Sequence, residues 1–414
     1  MINIDMEKLG KKSSAIRELF EQGKLLKEKY GVDKVFDFSI GNPSIPCPKK
    51  VNDTLIDLLS IANSKDCNEN YNKIDSYKPL NSNQLHGYSS AGGDIDVRNS
   101  ISEYLNTTYS ADTLGELIYL TTGAASALSI SLKALTTGKS KDEVIVFAPY
   151  FPEYLVFIKN ANATTIKVLP DYNTFYPDLN DFENKINENT SVVIINSPNN
   201  PTGVLYTENV IKDICKILKD KEKEYKHPIY LISDEPYREL IYVDKKYPFI
   251  TNYYDNSIIT YSFSKSISIP GERIGYILVN QNAENANDIY MAICGAGRSQ
   301  GYVCAPTLFQ QLIPHILGIT SDISIYKKNA KLFSDELTKI GYEVIEPDGA
   351  FYLFVKALCT DDKEFSKKAL EYNLLLVPSE SFGIKGYVRI AYCVSETQII
   401  NSLPQFKNLY NFYK

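Results

Sequence analysis

The sequence contains no tryptophan, only three histidines and seven cysteines that lie far apart in its 414 residues. No two cysteines form a C-x-x-C pair, and no H-E-x-x-H spacing occurs, which argues against a histidine-based metal site. An odd number of scattered cysteines favours free buried thiols in a reducing compartment over a disulfide framework. We therefore expect a cytoplasmic protein that binds no metal.

Long apolar runs and strong positive charge are also missing. No stretch approaches the roughly 18 apolar residues of a membrane span, and residues 1–8 lack the apolar core of a signal peptide. The net charge is −6, and no stripe of lysine or arginine is present. The sequence therefore predicts neither a membrane protein nor a nucleic-acid-binding protein.

The composition is otherwise that of a folded protein, with 44% hydrophobic and 23% charged residues. Single cores stop growing at roughly 250–300 residues, so we expect one large domain and one smaller domain. From about residue 117, short apolar runs alternate with helical stretches, which is typical of strands buried on both faces of a mainly parallel sheet. The runs that predict these strands are 117–120, 144–147, 191–195, 229–232 and 258–261.

The last hundred residues have a different pattern. Residues 349–355 and 386–392 resemble strands with helices between them, which predicts a smaller α+β unit. Ser395 and Gln398 form a capping box before a terminal helix. Pro404 lies within that helical pattern, and we expect it to kink or restart the helix.

The N-terminal part is less regular. Ser13 and Ser14 precede an amphipathic run that starts at Ile16, which predicts a capped helix. Residues 37–40 are expected to form a short strand. The polar segment 64–83 is expected to be a surface loop or insertion.

Polar or small residues follow most of the predicted strands of the large sheet. In parallel sheets, ligands bind beyond the carboxyl ends of the strands, so these residues are expected to meet in one crevice. They are Thr121-Thr122-Gly123, Asn196 to Asn200, Ser233-Asp234 and Ser262 to Lys265.

Each of these segments has both a chemical and an ordinary structural explanation. Lys265 could form a Schiff base once it is withdrawn from water, or it could be a surface lysine. Asp234 could hold a pyridinium nitrogen protonated, or it could start a turn. The segment from Gly123 to Ala125 could bind a phosphate at a helix N-terminus, and an asparagine amide of the 196–203 loop could bond a ring hydroxyl.

The order of these motifs along nearly the whole chain resembles the class I and II aminotransferases. This is the fold-type-I family of pyridoxal-phosphate enzymes typified by aspartate aminotransferase. The blocks that carry the resemblance are Gly41-Asn42-Pro43, His86-Gly87-Tyr88, Thr122 to Ala125, Pro149 to Tyr154, Asn199 to Gly203, Asp234 to Tyr237, Ser262-x-Ser264-Lys265, Gly271-Glu272-Arg273-x-Gly275, Pro347-x-Gly349-Ala350-Phe351 and Val388-Arg389.

The resemblance implies pyridoxal phosphate as the cofactor and assigns roles to matching positions. Lys265, Asp234 and Tyr237 resemble the catalytic residues: the Schiff-base lysine, the partner of the pyridine nitrogen and a donor to the ring oxygen. Gly41, Asn200 and Arg389 resemble the substrate-binding residues, with Arg389 gripping the α-carboxylate. The implied cofactor contacts are Lys265, Gly123, Ala124, Ala125, Phe151, Asn200, Asp234, Tyr237, Ser262, Ser264, Arg273 and Tyr88.

The resemblance also implies an architecture and a reaction. The fold is expected to be α/β, with a three-layer large domain at residues 50–307 and a small α+β domain formed by residues 1–49 and 308–414. Tyr88 resembles a phosphate contact supplied by the neighbouring subunit, which implies a homodimer with shared active sites. The reaction expected is a ping-pong transfer of an amino group from an L-amino acid to a 2-oxo acid.

Two alternatives and two departures from the family pattern stay open. The same fold hosts carbon–sulfur β-lyases that use the same cofactor, and it also occurs in ligand-sensing regulators, which carry an additional DNA-binding domain. The segment 64–83 looks longer than in the family and could reshape the site entrance. Arg298 is offset from the position of the family's distal-carboxylate arginine, which leaves dicarboxylate preference open.

Overall fold

Two sheets form the framework of the protein, and a short strand pair joins its two chain ends. The computed structural model describes residues 2–11, 15–63, 85–138 and 141–414. The predicted cap at Ser13 and Ser14 and the predicted loop 64–83 lie outside these residues.

The described strands are β1 (Phe36–Asp37), β2 (Ile118–Thr121), β3 (Glu143–Phe147), β4 (Thr164–Val168), β5 (Thr190–Asn196), β6 (Tyr230–Asp234), β7 (Ser257–Ser262), β8 (Gly275–Val279), β9 (Val344–Ile345), β10 (Tyr352–Lys356), β11 (Leu374–Leu375), β12 (Val377–Pro378) and β13 (Tyr387–Ala391). The described helices are α1 (Ile4–Lys11), α2 (Ala15–Tyr30), α3 (Lys49–Asn63), α4 (Ile95–Tyr109), α5 (Ala124–Leu135), α6 (Glu153–Asn160), α7 (Leu179–Lys185), α8 (Glu208–Tyr225), α9 (Phe263–Ser266), α10 (Ala286–Gln300), α11 (Thr307–Leu312), α12 (Ile323–Ile340), α13 (Asp362–Glu371) and α14 (Glu396–Tyr413).

The large sheet has seven strands in the order β2-β8-β7-β6-β5-β3-β4. All neighbouring pairs are parallel except those made by β8, which runs antiparallel to β2 and to β7. Its central strands are rich in valine and isoleucine and buried along almost their whole length, as expected for strands covered on both faces. The predicted α/β fold with a mainly parallel sheet is therefore confirmed.

Two strands of this sheet were not among the predicted runs. β4 lies at one edge of the sheet and is partly exposed, so its sequence Thr-Thr-Ile-Lys-Val lacks an apolar run. β8 is the next strand after the lysine segment, and it inserts between β2 and β7 in the reverse direction. Gly275 at its start lies close to other backbone atoms, since an added Cβ would be 2.2 Å from the Tyr261 carbonyl oxygen. This close approach brings β8 and the segment before it against the end of β7.

The smaller sheet is antiparallel, in the order β12-β13-β10-β9. It packs with α12 and α14 around a second apolar core, whose members include Phe333, Leu353 and Phe406. β1 pairs in parallel with β11, so the N-terminal segment joins the C-terminal part of the chain. This is the α+β unit expected from both chain ends, whereas the exact domain limits stay a prediction. The predicted strand at 37–40 ends earlier, at Asp37.

Two sequence-based expectations concern the last helix, α14: its N-cap and the effect of Pro404. The Ser395 hydroxyl accepts a hydrogen bond from the Gln398 backbone N–H at 3.2 Å, which confirms the predicted N-cap. Pro404 lies inside a helix that continues from Glu396 to Tyr413, so the predicted restart is wrong. Buried residues on both sides of the proline, Ile399 and Phe406, hold the two halves on the same core.

Within the described ranges, no helix is long and apolar enough to cross a membrane.

Replacing Ser395 with alanine is expected to destabilise the smaller unit by about 1 kcal/mol, because the substitution removes the acceptor for an N-terminal backbone N–H. The effect would appear as a lower midpoint in urea unfolding. Ser100→Ala on the exposed face of α4 serves as the control, since that hydroxyl only bonds the Asp96 carbonyl one turn earlier in its own helix. Equal midpoints for the Ser395 variant and the unmodified protein would contradict the capping role.

Candidate active site

A cavity of about 170 Å³ lies at the carboxyl ends of β5, β6 and β7, beside the N-terminus of α5. Its position agrees with the general rule for ligand sites in parallel sheets. The residues that line it are Ala124, Ala125, Leu128, Phe151, Asn196, Asn200, Asp234, Pro236, Tyr237, Ser262, Ser264, Lys265, Pro270 and Arg273.

Lys265 lies on the single turn of α9, directly after β7. The Ser262 hydroxyl caps this turn by accepting a hydrogen bond from the Ser264 N–H at 3.2 Å. The Lys265 amine donates to the Gly41 carbonyl oxygen at 2.7 Å, and no carboxylate within the described ranges pairs with it. Burial lowers the pKa of this amine from 10.5 to about 8, and the positive charge of Arg389 acts in the same direction. The neutral, nucleophilic form is therefore far more abundant near pH 7 than it is for an ordinary lysine, at about a tenth of the amine.

Asp234 is the last residue of β6 and is buried. Tyr154, from the first turn of α6, donates its hydroxyl proton to Asp234 Oδ2 at 2.5 Å. Thr260, from the neighbouring strand β7, donates to Oδ1 at 3.3 Å. Burial raises the pKa of Asp234 to about 7, although both hydrogen bonds oppose this shift. No cationic side chain of the residues that the structure describes pairs with this carboxylate, so it is suited to bind a positively charged group of a ligand.

Two asparagines connect the sheet to the smaller unit. Asn196 ends β5; its side-chain nitrogen donates to the Asp234 carbonyl oxygen at 2.8 Å, and its side-chain oxygen accepts from the Asn200 backbone N–H at 2.8 Å. The side-chain oxygen of Asn200 in turn accepts from Arg389 Nη1 at 3.0 Å. A continuous hydrogen-bond path thus runs from the end of β6 to β13.

Arg389 projects from β13 and is only 2% exposed. Its guanidinium donates to the Ser39 carbonyl oxygen and lies 4.5 Å from the centre of the Tyr352 ring. Its Nε has no hydrogen-bond partner, and no carboxylate of the described residues lies within salt-bridge distance of it. Burial lowers the pKa of Arg389. A buried guanidinium with an unused donor and no counter-ion is suited to bind a carboxylate.

Tyr237 lies three residues after the end of β6 and lines the cavity. Its hydroxyl lies 3.0 Å from the Tyr352 hydroxyl. Tyr352 in turn packs against Gly41, where an added Cβ would lie only 1.9 Å from the Tyr352 oxygen. Gly41 therefore has to be a glycine if the two tyrosine hydroxyls are to keep this arrangement.

The opposite end of the cavity can bind an anion. Gly123 precedes α5 with φ = +89°, a conformation that glycine tolerates best. A Cβ at Gly123 would lie 2.9 Å from Arg273 Nη2, so the absence of a side chain lets the guanidinium approach the helix start. The hydroxyls of Ser262 and Ser264, 2.7 Å apart, line the same cavity. A helix N-terminus, an arginine and two hydroxyls together form a suitable phosphate site.

Three other residues singled out from the sequence have different positions. Phe151 lines the cavity, with its ring 5.7 Å from the Tyr154 ring. Tyr88 is fully exposed and is not among the cavity residues of its own chain. Arg298 lies exposed in the last turn of α10, also outside the cavity.

The structure adds residues that the sequence reasoning did not select. Tyr154 contacts Asp234 because the first turn of α6 brings it beneath Phe151. Thr260 contacts Asp234 because residues 234 and 260 pair directly across β6 and β7. Asn196 is expected in the crevice because it follows a predicted strand, but the sequence assigns it no contact of its own. The local sequence around Tyr352 does not indicate its contacts with the site, because they depend on packing between distant parts of the chain.

Comparisons with known proteins agree on one family. The family model for aminotransferase class I and II matches residues 33–403. An aspartate aminotransferase of Pyrococcus horikoshii is 29% identical, with 96% of this chain and 94% of that protein covered. Among solved structures, an aminotransferase from Eubacterium rectale has a TM-score of 0.93 and 47% identity over 100% of this chain and 99% of that one. An aspartate aminotransferase from Thermotoga maritima has a TM-score of 0.82 and 26% identity, covering 99% and 100% of the two chains.

The Lys265 amine of the ligand-free protein is expected to react with an amine-selective reagent such as trinitrobenzenesulfonate with a midpoint near pH 8. Labelling should increase with pH, because the amine is charged and inert below its pKa and is mainly the neutral nucleophile above it. Mass spectrometry of the labelled peptide measures the midpoint. The exposed Lys49, whose pKa is raised by Asp53, provides the control and should label only at higher pH. Equal midpoints for both lysines would contradict the lowered pKa.

Proposed function

Because the chain belongs to the class I and II aminotransferases, we propose that it transfers an amino group from an L-amino acid to a 2-oxo acid in two half-reactions with pyridoxal phosphate. The observation that carries the proposal is the meeting of Lys265 and Asp234 in one cavity. The Lys265 amine, with its lowered pKa, matches the aldehyde of this cofactor. The Asp234 carboxylate, which pairs with no cation of the described residues, matches the pyridine nitrogen.

The residues present fit the whole cofactor. Lys265 would hold it through a Schiff base, and Asp234 would bind the protonated ring nitrogen. Tyr237 and Asn200 would donate to the ring oxygen, and Phe151 would stack on the ring plane. The phosphate would bind the helix start from Gly123 to Ala125 together with Ser262, Ser264 and Arg273. Arg273 approaches this site through the space that a Cβ at Gly123 would occupy.

When bound, pyridoxal phosphate supplies an electron sink that stabilises negative charge at the substrate α-carbon. Asp234 keeps the ring nitrogen protonated, since a buried carboxylate is strongly stabilised by a neighbouring cation. Tyr154 and Thr260 fix the orientation of that carboxylate through their hydrogen bonds.

Lys265 performs the proton transfers. Once it is no longer bound to the cofactor, the neutral Lys265 amine would take the α-proton of the substrate and return a proton within the site. Burial supports this role because it lowers the pKa of the amine to about 8, close to the range in which general bases work best. The Gly41 carbonyl, which accepts from Lys265 at 2.7 Å, holds the amine within the site.

Arg389 positions the substrate. Its unused Nε and the absence of a carboxylate partner within the described residues leave it free to form a two-point contact with the substrate α-carboxylate. The relatives from Pyrococcus and Thermotoga carry the name aspartate aminotransferase. In this chain Arg298 lies outside the cavity, so we propose an amino acid substrate without assigning its side chain.

We also propose a homodimer in the cytoplasm. Tyr88 is fully exposed, as expected for a side chain that reaches the phosphate site of a neighbouring subunit. All described cysteines are free, which suits a reducing compartment.

Lys265→Ala is expected to abolish turnover and the visible absorbance of the protein incubated with pyridoxal phosphate, because the covalent attachment and the base are lost together. Absorbance spectra and a coupled assay with several amino acids measure both effects. Lys245→Ala, which changes a lysine of the surface pair with Asp348, provides the control and should behave like the unmodified protein. A Lys265 variant that still turned over normally would refute the assignment.

Incubation with an amino acid alone separates transamination from β-elimination. A transaminase should consume about one equivalent per active site and stop, because the second substrate is missing. Chromatographic measurement of the remaining amino acid gives the stoichiometry. Continuous release of ammonia and pyruvate from cysteine would instead show a lyase.

Shared active sites can be tested by mixing two inactive variants, Lys265→Ala and Tyr88→Ala. In a mixed dimer, one site would combine the intact Lys265 of one chain with the intact Tyr88 of the other. If subunits exchange freely, activity should therefore return to about a quarter of the unmodified level. Mixed dimers confirmed by native mass spectrometry that stayed inactive would contradict the assignment of Tyr88.

A further inference from the structure

Tyr352 is a buried residue that none of the roles above uses, yet it touches three parts of the site. It is the first residue of β10 and is 3% exposed. Its hydroxyl lies 3.0 Å from that of Tyr237, its ring centre lies 4.5 Å from the Arg389 guanidinium, and its oxygen fills the space beside Gly41. Tyr352 is not among the residues that line the cavity, and these contacts are with Tyr237, Arg389 and Gly41 rather than with the cavity itself.

The strand register explains how one side chain reaches both partners. β10 and β13 are antiparallel, and Arg389 pairs with Phe354. Tyr352 is two residues away from Phe354, so its side chain lies on the same face and diagonal to Arg389, within reach of a long side chain. The Tyr352 ring supports the guanidinium from one side, and Phe382 lies 5.1 Å from it as a second aromatic neighbour.

The hydroxyl contact has a defined direction when Tyr237 acts as a donor. The Tyr237 hydroxyl has one proton. If that proton is donated to the ring oxygen of the cofactor, the Tyr237 oxygen can only accept a hydrogen bond from the Tyr352 hydroxyl. Accepting a hydrogen bond strengthens the donor capacity of the same hydroxyl, because the bonds of a chain polarise one another. Both hydroxyls are buried, so water does not replace this bond.

We propose that Tyr352 is a positioning residue of the aminotransferase reaction, whose ring orients Arg389 for the substrate carboxylate and whose hydroxyl orients and strengthens Tyr237 as donor to the cofactor. This inference rests on the proposed function. It assigns to one side chain the link between substrate binding on β13 and the cofactor contacts after β6.

Tyr352→Phe separates the two contacts, because phenylalanine keeps the ring and removes the hydroxyl. We expect KM for the amino acid to stay within about twofold, while kcat falls by about tenfold, the size expected for one lost buried hydrogen bond. In the holoenzyme without substrate, the pH midpoint of the bound cofactor's visible absorbance should rise by about half a unit or more. A weaker donor leaves more negative charge on the ring oxygen, which holds the nearby proton more tightly.

Tyr352→Leu removes both contacts and should also raise KM by about tenfold, because Arg389 loses its aromatic support. The double variant Tyr237→Phe/Tyr352→Phe should have the same absorbance midpoint as Tyr237→Phe alone, since the hydroxyl of Tyr352 then has no partner to strengthen. These two comparisons assign the ring effect to Arg389 and the hydroxyl effect to Tyr237.

Tyr342→Phe provides a matched control. Its hydroxyl is also buried in the smaller unit and donates one hydrogen bond, to the Phe406 carbonyl oxygen at 2.9 Å. This variant should lower thermal stability by an amount similar to Tyr352→Phe, yet leave kcat and the absorbance midpoint unchanged. The control therefore separates a general loss of packing from an effect on the site.

Unchanged kcat and an unchanged absorbance midpoint in Tyr352→Phe would overturn the proposal. It would also be overturned if Tyr352→Phe shifted the absorbance midpoint equally in the unmodified protein and in the Tyr237→Phe variant. In both cases the unmodified protein would still bind pyridoxal phosphate and turn over, so only this inference would fail. If the unmodified protein took up no pyridoxal phosphate, the proposed function would fail together with it.

Discussion

The burial of ionisable groups that lack a counter-ion in the protein is the constraint on which the site depends. Asp234 and Arg389 are buried and Lys265 is part-buried, and none of them forms an ion pair with another described residue. Withdrawing such groups from water is costly unless a partner arrives. Burial accordingly moves the pKa of Asp234 up to about 7 and that of Lys265 down to about 8. The protein is thus complementary to a ligand that supplies the missing charges.

The surrounding structure holds these groups apart: Lys265 and Asp234 line the cavity, whereas Arg389 lies behind the lining residue Asn200, to which it donates a hydrogen bond. Tyr154 and Thr260 donate hydrogen bonds to the Asp234 carboxylate and hold its orientation. The uncharged side chains of Asn196 and Asn200 lie between Asp234 and Arg389, where Asn196 donates to the Asp234 backbone carbonyl and Asn200 accepts from the guanidinium. If these groups were free to pair with one another, their charges would be satisfied internally and the ligand would gain little from them.

The site exists only where the two chain ends meet the large sheet. The Ser39 and Gly41 carbonyls come from the N-terminal segment, and they accept hydrogen bonds from Arg389 and Lys265. Arg389 comes from the C-terminal sheet, whereas Lys265 follows β7 of the large sheet. A change in the position of either chain end would therefore disturb Arg389 and Lys265 together, which gives the smaller unit a direct part in the proposed chemistry.

The sequence alone determined the mainly parallel sheet, because short unbroken runs of valine and isoleucine are most stable as strands that are covered on both faces. It also determined which polar residues meet, because strand ends such as Asp234 and Lys265 converge by topology. Only the tertiary structure decided the partners of those residues. Tyr352 reaches Tyr237 across 115 positions of sequence. The partly exposed edge strand β4 has no apolar run, and the apolar run of β8 does not show that this strand is reversed in the sheet. Local patterns report burial and periodicity, whereas contacts between distant segments depend on how complete elements pack.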